Sequence, residues 1–343
     1  MKKTAFAALA MGLALGAQAY PDRPITVVVP FAAGGPTDKV ARDLVEAMRK
    51  PLGNATIVIE NVGGAGGTVG AGRVAKAAPD GYTLLLHHIG MSTAPALYRK
   101  LPFKVPDDFE FLGMVNDVPM TLVGRPTLAA TNFADLRKWI NDNKGKVNLA
   151  NAGLGAASHL CGLMFQQALA VEMTTVPYKG TAPAMTDLLG GQVDIMCDQT
   201  TNTTVQIESG KVKAYAVTTL KPLTTPALKN LPTLDSQGLK GFNVTIWHGL
   251  YAPKGTPKAV VDKVNAAMRD ALKDPAFVKN EEALGAVIVT DDRLTRPPQV
   301  RRRRDRQVGR GDQGRRPVRR LTCARVWAEG RSRARAGPAP PAQ

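Results

Sequence analysis

Catalysis needs nucleophiles, bases or metal ligands held at short range, and this sequence supplies few. Among its four histidines are an adjacent pair, His87 and His88, and His159, which stands two residues before Cys161. Neither spacing builds a reactive site. Neighbouring strand residues point to opposite faces, so His87 and His88 do not converge on one metal ion. Residues two apart on a helix do not face each other, so His159 is a poor base for Cys161. There is no Gly-x-Ser-x-Gly elbow and no His/Cys/Asp group with metal-ligand spacing. What the sequence offers instead is bare backbone next to helix starts. In Gly34-Gly35-Pro36-Thr37-Asp38 a glycine turn runs into helix-cap residue types. Free N–H groups and the positive end of a helix dipole meet there, which suits an anion. Gly153-x-Gly155-x-x-Ser158 repeats the arrangement further along. It lacks the third glycine of a dinucleotide motif, so it reads as a second anion cradle.

Both corners need a strand before them and a helix after. Ile25–Val29 is a β-branched run that reads as a buried strand, and Val40, Leu44, Val45 and Met48 form an apolar helical stripe. Val147–Ala150 is the strand before the second corner, and a helix continues to Leu169. Further strands are expected at Thr56–Glu60, Tyr82–Leu86, Met120–Val123, Thr174–Pro177, Val193–Cys197, Ala214–Thr218, Val244–Ala252 and Ala286–Val289. Helices are expected at Val69–Ala77, Phe133–Asn141, up to Leu189, and at Thr203–Glu208, Pro257–Lys273 and Pro275–Leu284. Residues 95–113 and 221–240 read as irregular. The alternation implies mostly parallel sheets in an α/β fold of two lobes, with ligand loops beyond the carboxyl ends of the strands. The loop Asn61–Thr68 has four glycines in five residues, which make tight turns or let a ligand approach. It has no Lys-Ser/Thr ending, so it is not a phosphate-binding P-loop.

The net charge of +17 on 343 residues suggests nucleic acid until it is located. Fifteen arginines against three acids give residues 296–343 a charge of +12, which leaves +5 for residues 1–295. Nucleic-acid binding is therefore not expected of the folded part. The Arg/Pro-rich tail, with few large apolar residues, reads as disordered. Lysine vanishes where the tail begins, which reads as a frameshift in GC-rich coding DNA. Residues 1–19 read as an export signal: Lys2-Lys3, an apolar run to Ala17, and the small-x-small site Ala17-Gln18-Ala19. Export permits a disulfide between Cys161 and Cys197; the alternative is that both are small buried apolar side chains.

The motifs Tyr20-Pro-Asp-Arg-Pro-Ile25, Pro30-Phe-Ala-Ala-Gly-Gly-Pro-Thr-Asp38, Asn61–Gly67, Pro79-Asp-Gly-Tyr82, Val176-Pro-Tyr-Lys-Gly180 and Asp187-Leu-Leu-Gly-Gly-Gln-Val-Asp194 resemble the Bug/TctC family. These are periplasmic solute receptors of tripartite tricarboxylate transporters. The likeness covers about residues 20–295. It implies a type II-like periplasmic-binding-protein fold, with residues 20–120 plus 240–295 as lobe 1 and 121–239 as lobe 2. A small carboxylate would be captured in the cleft and handed unchanged to a cognate membrane permease. The resemblance implies a monomer in the periplasm, with no cofactor, no metal and no enzymatic step. The ligand set it implies is Phe31, Ala33, Gly34, Gly35 and Thr37, then Gly67, Thr68 and His87, then Gly153, Gly155, Ala157 and Ser158, with Tyr178, Lys179 and Asp198 nearby. The pattern His87-His88-Ile-Gly-Met is shared with members that bind acidic amino acids. An acid beside an anion site is costly unless a cation joins it, so Asp198 is expected to meet a ligand ammonium or to cap the next segment.

Overall fold

The computed structural model describes residues 20–289. The expected export signal and the 296–343 tail lie outside the described residues. The chain begins with β1 (Ile25–Val29), α1 (Pro36–Arg49), β2 (Ile57–Asn61), α2 (Thr68–Ala75), β3 (Thr83–His88) and α3 (Gly90–Leu97). It continues with β4 (Phe109–Gly124), α4 (Phe133–Asp142), β5 (Asn148–Asn151), α5 (Ala157–Leu169), β6 (Thr174–Pro177) and α6 (Thr181–Leu189). Then follow β7 (Ile195–Gln199), α7 (Thr200–Glu208), β8 (Lys213–Val217), β9 (Thr245–Pro253), α8 (Lys258–Ala271), α9 (Pro275–Ala283) and β10 (Val287–Ile288).

The strands run in the order β2-β1-β3-β9-β4-β7-β5-β6, with β8 and β10 also pairing β4. The expectation of mostly parallel sheets holds only at the two ends. β1 is parallel to β2 and β3, and β5 is parallel to β6 and β7. In the middle, β4 and β9 are antiparallel to each other and to their other neighbours β3, β7, β8 and β10. The expected short strand Met120–Val123 is the end of β4, a strand of 16 residues. Phe109–Pro119 pair with β9 in one half of the sheet, and Met120–Gly124 pair with β7 and β8 in the other. One continuous strand thus carries the chain from one lobe to the other. α3 also replaces part of the stretch expected to be irregular.

Each half is a sheet covered by helices on both faces, as strands buried on both sides require. In β1, Val27 and Val29 pack with α1 residues Val40 and Leu44, while Val28 between them packs with Leu85 and Val74 of α2. This is the two-residue period of a strand. In the second half, Leu149 packs with Met164 and Phe165 of α5, while Ala150 packs with Leu188 of α6. The carboxyl ends of β1, β5 and β7 lead directly into α1, α5 and α7, so three helix starts are delivered to one side of the sheet.

Candidate functional site

A pocket with an empty volume of about 240 Å³, open solvent at its mouth included, lies between the halves. Its walls are Phe31, Pro36, Thr37, His88, Ala152, Ala157, Ser158, Thr181, Asp198 and Gln199. Four helix N-termini meet there: Pro36 and Thr37 open α1, Ala157 and Ser158 open α5, Thr181 opens α6, and Gln199 is the N-cap of α7. None of the four has a side-chain cap hydrogen bond. In α1 and α5 the first ladder bonds run from Lys39 N to Gly35 O and from Leu160 N to Ala156 O. The amides of Thr37, Asp38, Ala157 and Ser158 therefore precede the first intrahelical acceptor.

Other groups at the two corners are already committed. Gly34 N donates to Asp38 Oδ2 at 2.9 Å, and Asn61 Nδ2 and Arg42 also hold that carboxylate. Burial alone would raise the pKa of Asp38; Arg42, the Gly34 amide and Asn61 outweigh it and hold the group below its ordinary value. At the second corner Gly153 N donates to Asn151 Oδ1, Ala152 N to Ser158 Oγ and Gly155 N to His159 Nδ1. These bonds fix the corners' shape.

Asp198 stands at the end of β7 and is fully buried. Asn202 Nδ2 donates to its Oδ2 at 2.6 Å; its Oδ1 has no well-formed hydrogen bond, although the Thr181 hydroxyl and the Gln199 backbone amide face the carboxylate and favour its charged form. The side-chain oxygen of Gln199, another pocket wall, is buried without a partner. An unpaired buried polar atom costs about 1–3 kcal/mol, so these under-satisfied walls suit a polar guest. Burial pushes Asp198 up to about 7. His88 is pushed down to about 3 by burial, so it is a neutral ring. Gly90 N donates to its Nδ1, which leaves its proton on Nε2. Phe31 stacks on that ring at 4.6 Å.

The remaining expected residues fall into three groups. Phe31, Thr37, Ala157, Ser158 and Asp198 line the pocket. Gly67, Thr68 and His87 stand behind it: a Cβ on Gly67 would lie 2.7 Å from His87 Nε2 and 3.0 Å from the Phe31 ring. The cleft histidine is thus His88, and His87 packs edge-on to Phe31 on the far side. Ala33, Gly34, Gly35, Gly153, Gly155, Tyr178 and Lys179 are not pocket walls. Several of them form the seam where the halves touch. Ala32 N donates to Lys179 O at 3.2 Å, and the Tyr98 hydroxyl lies 2.6 Å from Ala65 O and 2.7 Å from Leu154 O. A Cβ on Gly66 would lie 1.9 Å from Leu154 O, and one on Gly180 2.7 Å from Ala32 N. The glycine loop therefore lets backbone meet backbone across the cleft. Tyr178 donates its hydroxyl to Asp187 within its own half.

Sequence reasoning missed Pro36, His88, Ala152, Thr181 and Gln199 as pocket walls. The signal for Gln199 was the polar run Gln199-Thr200-Thr201 directly after a buried strand, which is where α7 starts. The thiols of Cys161 and Cys197 are joined as a disulfide, with Cα atoms 6.0 Å apart. It ties α5 to the residue before Asp198. Among the described residues, no group of three or more His, Cys, Asp or Glu could hold a metal ion, and no helix is long and apolar enough to cross a membrane.

The comparisons with known proteins agree with this geometry. Residues 40–294 match the model of the tripartite tricarboxylate transporter family receptor. A protein of Agrobacterium vitis from the TAR-I ttuE-ttuC' intergenic region is 50% identical over 276 residues, 80% of this chain and 79% of that protein. The structure of the periplasmic binding protein BugD is similar at 52% identity and a TM-score of 0.80, covering 92% of this chain and 98% of that one. MatC from Rhodopseudomonas palustris, solved with bound malate, is similar at 37% identity and a TM-score of 0.77, with the same coverage. Two α/β lobes, a pocket of helix starts between them and a family match over most of the chain lead to one conclusion: this chain belongs to the tripartite tricarboxylate transporter receptor family.

Proposed function

We propose that this protein is an extracytoplasmic receptor that closes around a small carboxylate and delivers it unchanged to the membrane permease of a tripartite transporter. The observation that carries the proposal is the meeting of four helix N-termini without side-chain caps at one pocket, whose walls include the buried carboxylate of Asp198 and the unpartnered Gln199 Oε1. A charge-assisted hydrogen bond contributes about 1.5–3 kcal/mol, and a micromolar complex needs about 8 kcal/mol net. Four to six backbone amides on an anion reach that range after closure has cost its share. The malate in MatC supports a diacid of that size for this pocket.

In this reading residues 20–120 with 240–295 form one lobe, 121–239 form the other, and residues 1–19 direct export. The protein acts as a monomer and performs no reaction on its ligand. Asp198 refines the ligand. Its carboxylate, which has no charged partner in the pocket wall, accepts from an ammonium, which favours an acidic amino acid over a plain dicarboxylate.

Calorimetric titration of the purified protein with aspartate, glutamate and succinate tests both levels. Aspartate or glutamate is expected to bind more tightly than succinate. Equal affinity for succinate would reject the ammonium at Asp198. Absence of binding to any of these or to a wider panel of carboxylates, or turnover of a bound acid, would reject the receptor.

A further inference from the structure

Behind Thr37 a row of buried polar side chains leads away from the pocket through the core of the first half. Thr37 Oγ1 lies 3.3 Å from His248 Nε2. His248 Nδ1 lies 2.8 Å from Asn116 Oδ1, and Asn116 Nδ2 donates to Glu281 Oε2 at 2.7 Å. His248 is on β9, Asn116 on β4 and Glu281 on α9, and none of the three is exposed to solvent. None touches the pocket, so the transport reading leaves them unused. Strands bridging the halves rarely carry polar side chains into a core without a reason, because each costs free energy unless paired.

The row has a direction. Asn116 gives its N–H to Glu281, so its oxygen faces His248. An amide oxygen only accepts, so the proton of His248 is on Nδ1. Burial, with His88 nearby, keeps His248 well below its ordinary pKa and hence neutral, so Nε2 carries a lone pair. The Thr37 hydroxyl must then give its proton to Nε2, and its oxygen turns only lone pairs toward the pocket.

We propose that Glu281, Asn116 and His248 are positioning residues that fix Thr37 as an acceptor in the pocket, so that the receptor selects a diacid bearing a hydrogen-bond donor beside its carboxylate. This rests on the receptor reading above and deepens it. A carboxylate oxygen in front of Thr37 Oγ1 would meet a lone pair, whereas a hydroxyl or ammonium would be met by an acceptor. The Thr37 backbone N–H stays available for the neighbouring carboxylate. Asp198, on the other lobe, is the second acceptor; an ionised carboxylate prefers ammonium, while Thr37 serves a hydroxyl equally well.

Two measurements test the inference. The first is the imidazole ¹⁵N spectrum of His248 in the whole protein without ligand, between pH 6 and 8. A protonated Nδ1 and an unprotonated Nε2 are expected; a protonated Nε2 would reverse the row and overturn the proposal. The second is calorimetry with succinate, L-malate and L-aspartate. Malate and aspartate are expected to bind at least about tenfold more tightly than succinate, the size of one or two hydrogen bonds. Thr37→Val should reduce that ratio about tenfold and Thr37→Ser should keep it. His248→Phe frees the Thr37 proton to turn outward and should move the malate-to-succinate ratio toward succinate. An unchanged ratio in Thr37→Val rejects the role of the hydroxyl without any appeal to stability. If no acid binds, the receptor reading fails, while the His248 spectrum still judges the row. If all three acids bind equally, the receptor stands and this inference falls.

Discussion

Helices α4 and α9 carry their own caps; the four helices that open on the pocket do not. Asn132 accepts from Asp135 N at 2.9 Å at the start of α4, and Asp274 accepts from Ala276 N and Phe277 N at the start of α9. The caps of α1, α5 and α6 are Gly35, Ala156 and Gly180, which have no side-chain acceptor, and Gln199 before α7 leaves its own unused. Lack of a cap is not by itself a mark of function, since α2, α3 and α8 also begin without one. What separates the pocket helices is convergence. A helix start left open to water is solvated, whereas four open starts on one pocket add their dipoles at a place that suits an anion. In the proposed receptor the ligand would bring the missing acceptor.

The largest expected effect removes the tie that sets two of those starts. The Cys161–Cys197 disulfide joins α5 to the strand end before α7 across 36 residues. Its loss in C161A/C197A should cost about 3–4 kcal/mol by the chain-entropy relation, read as a lower denaturant midpoint. Amide exchange should quicken everywhere that it proceeds by global unfolding, and by a larger factor in α5 and α7 than in α4 and α9. An equal factor in all four helices would mean that the bond stabilises the whole fold without organising the pocket.

Next comes closure. Gly66 has a φ of 60° and would place a Cβ 1.9 Å from Leu154 O. Gly66→Ala should keep the lobes apart and weaken carboxylate binding about 100-fold, about 2.7 kcal/mol. Stability should fall only by the 1–2 kcal/mol or so of left-handed strain. Full affinity in this variant would show that the helix starts grip without the seam.

Asp198 makes the pocket sensitive to pH, in a direction opposite to an ordinary salt-bridged acid. Its folded pKa is raised by burial to about 7 from 3.8, so the folded state holds the proton longer than the unfolded chain. That contribution to stability is complete below about pH 4 and is lost as pH rises to 7, with a slope of up to about 1.4 kcal/mol per pH unit. Glu281, also raised to about 7 by burial and by Asp43, acts in the same sense. His87, His88 and His248 are lowered by burial and oppose it, losing stability as pH falls below 6.5. Comparing the free protein with D198N isolates the one group. The variant should gain on wild type between pH 4 and 7 and run parallel above 7. Thr37, Ser158, Thr181, Asn202 and neutral His88 share the pocket or hold Asp198, so no cation of the described pocket walls alters the sign. A ligand ammonium would, and aspartate affinity should rise from pH 5 to 8 relative to succinate.

Much of this was legible in the residues, and the failures have physical causes. β1, α1 and the second corner follow from β-branched runs, apolar spacing and glycines, all local properties. From sequence β4 is expected only as Met120–Val123, with residues 95–113 irregular; its first part carries Gly113, Asn116, Asp117 and Pro119, which disfavour a strand. Register shifts at Phe111/Gly113 and Met114/Asn116 accommodate the first two, and Asp117 and Pro119 pair in register with Trp247 and Thr245. α7 begins at Thr200, before the expected Thr203, in a threonine-rich run that disfavours helix. Tertiary bonds from Thr204 Oγ1 to Leu284 O and between Thr121 and Thr203 hold it there. Strand alternation separates His87 from His88 but does not say which face meets the cleft.

The smallest effect bears most directly on the contrast between capped and open starts. Asn132→Ala on α4 removes a cap far from the pocket and should cost about 1 kcal/mol of stability, leaving carboxylate affinity unchanged. Ala156→Ser on α5 does the reverse. A hydroxyl at that N-cap reaches the amides of the first turn, so the helix should gain about 0.5–1 kcal/mol. The same hydroxyl takes a donor that the ligand would use, and affinity should fall several-fold. Stability gained with affinity lost is the signature of a helix start reserved for a guest. Should Ala156→Ser bind as tightly as wild type, the α5 amides would be no part of the grip, and the pocket would rest on three helix starts instead of four.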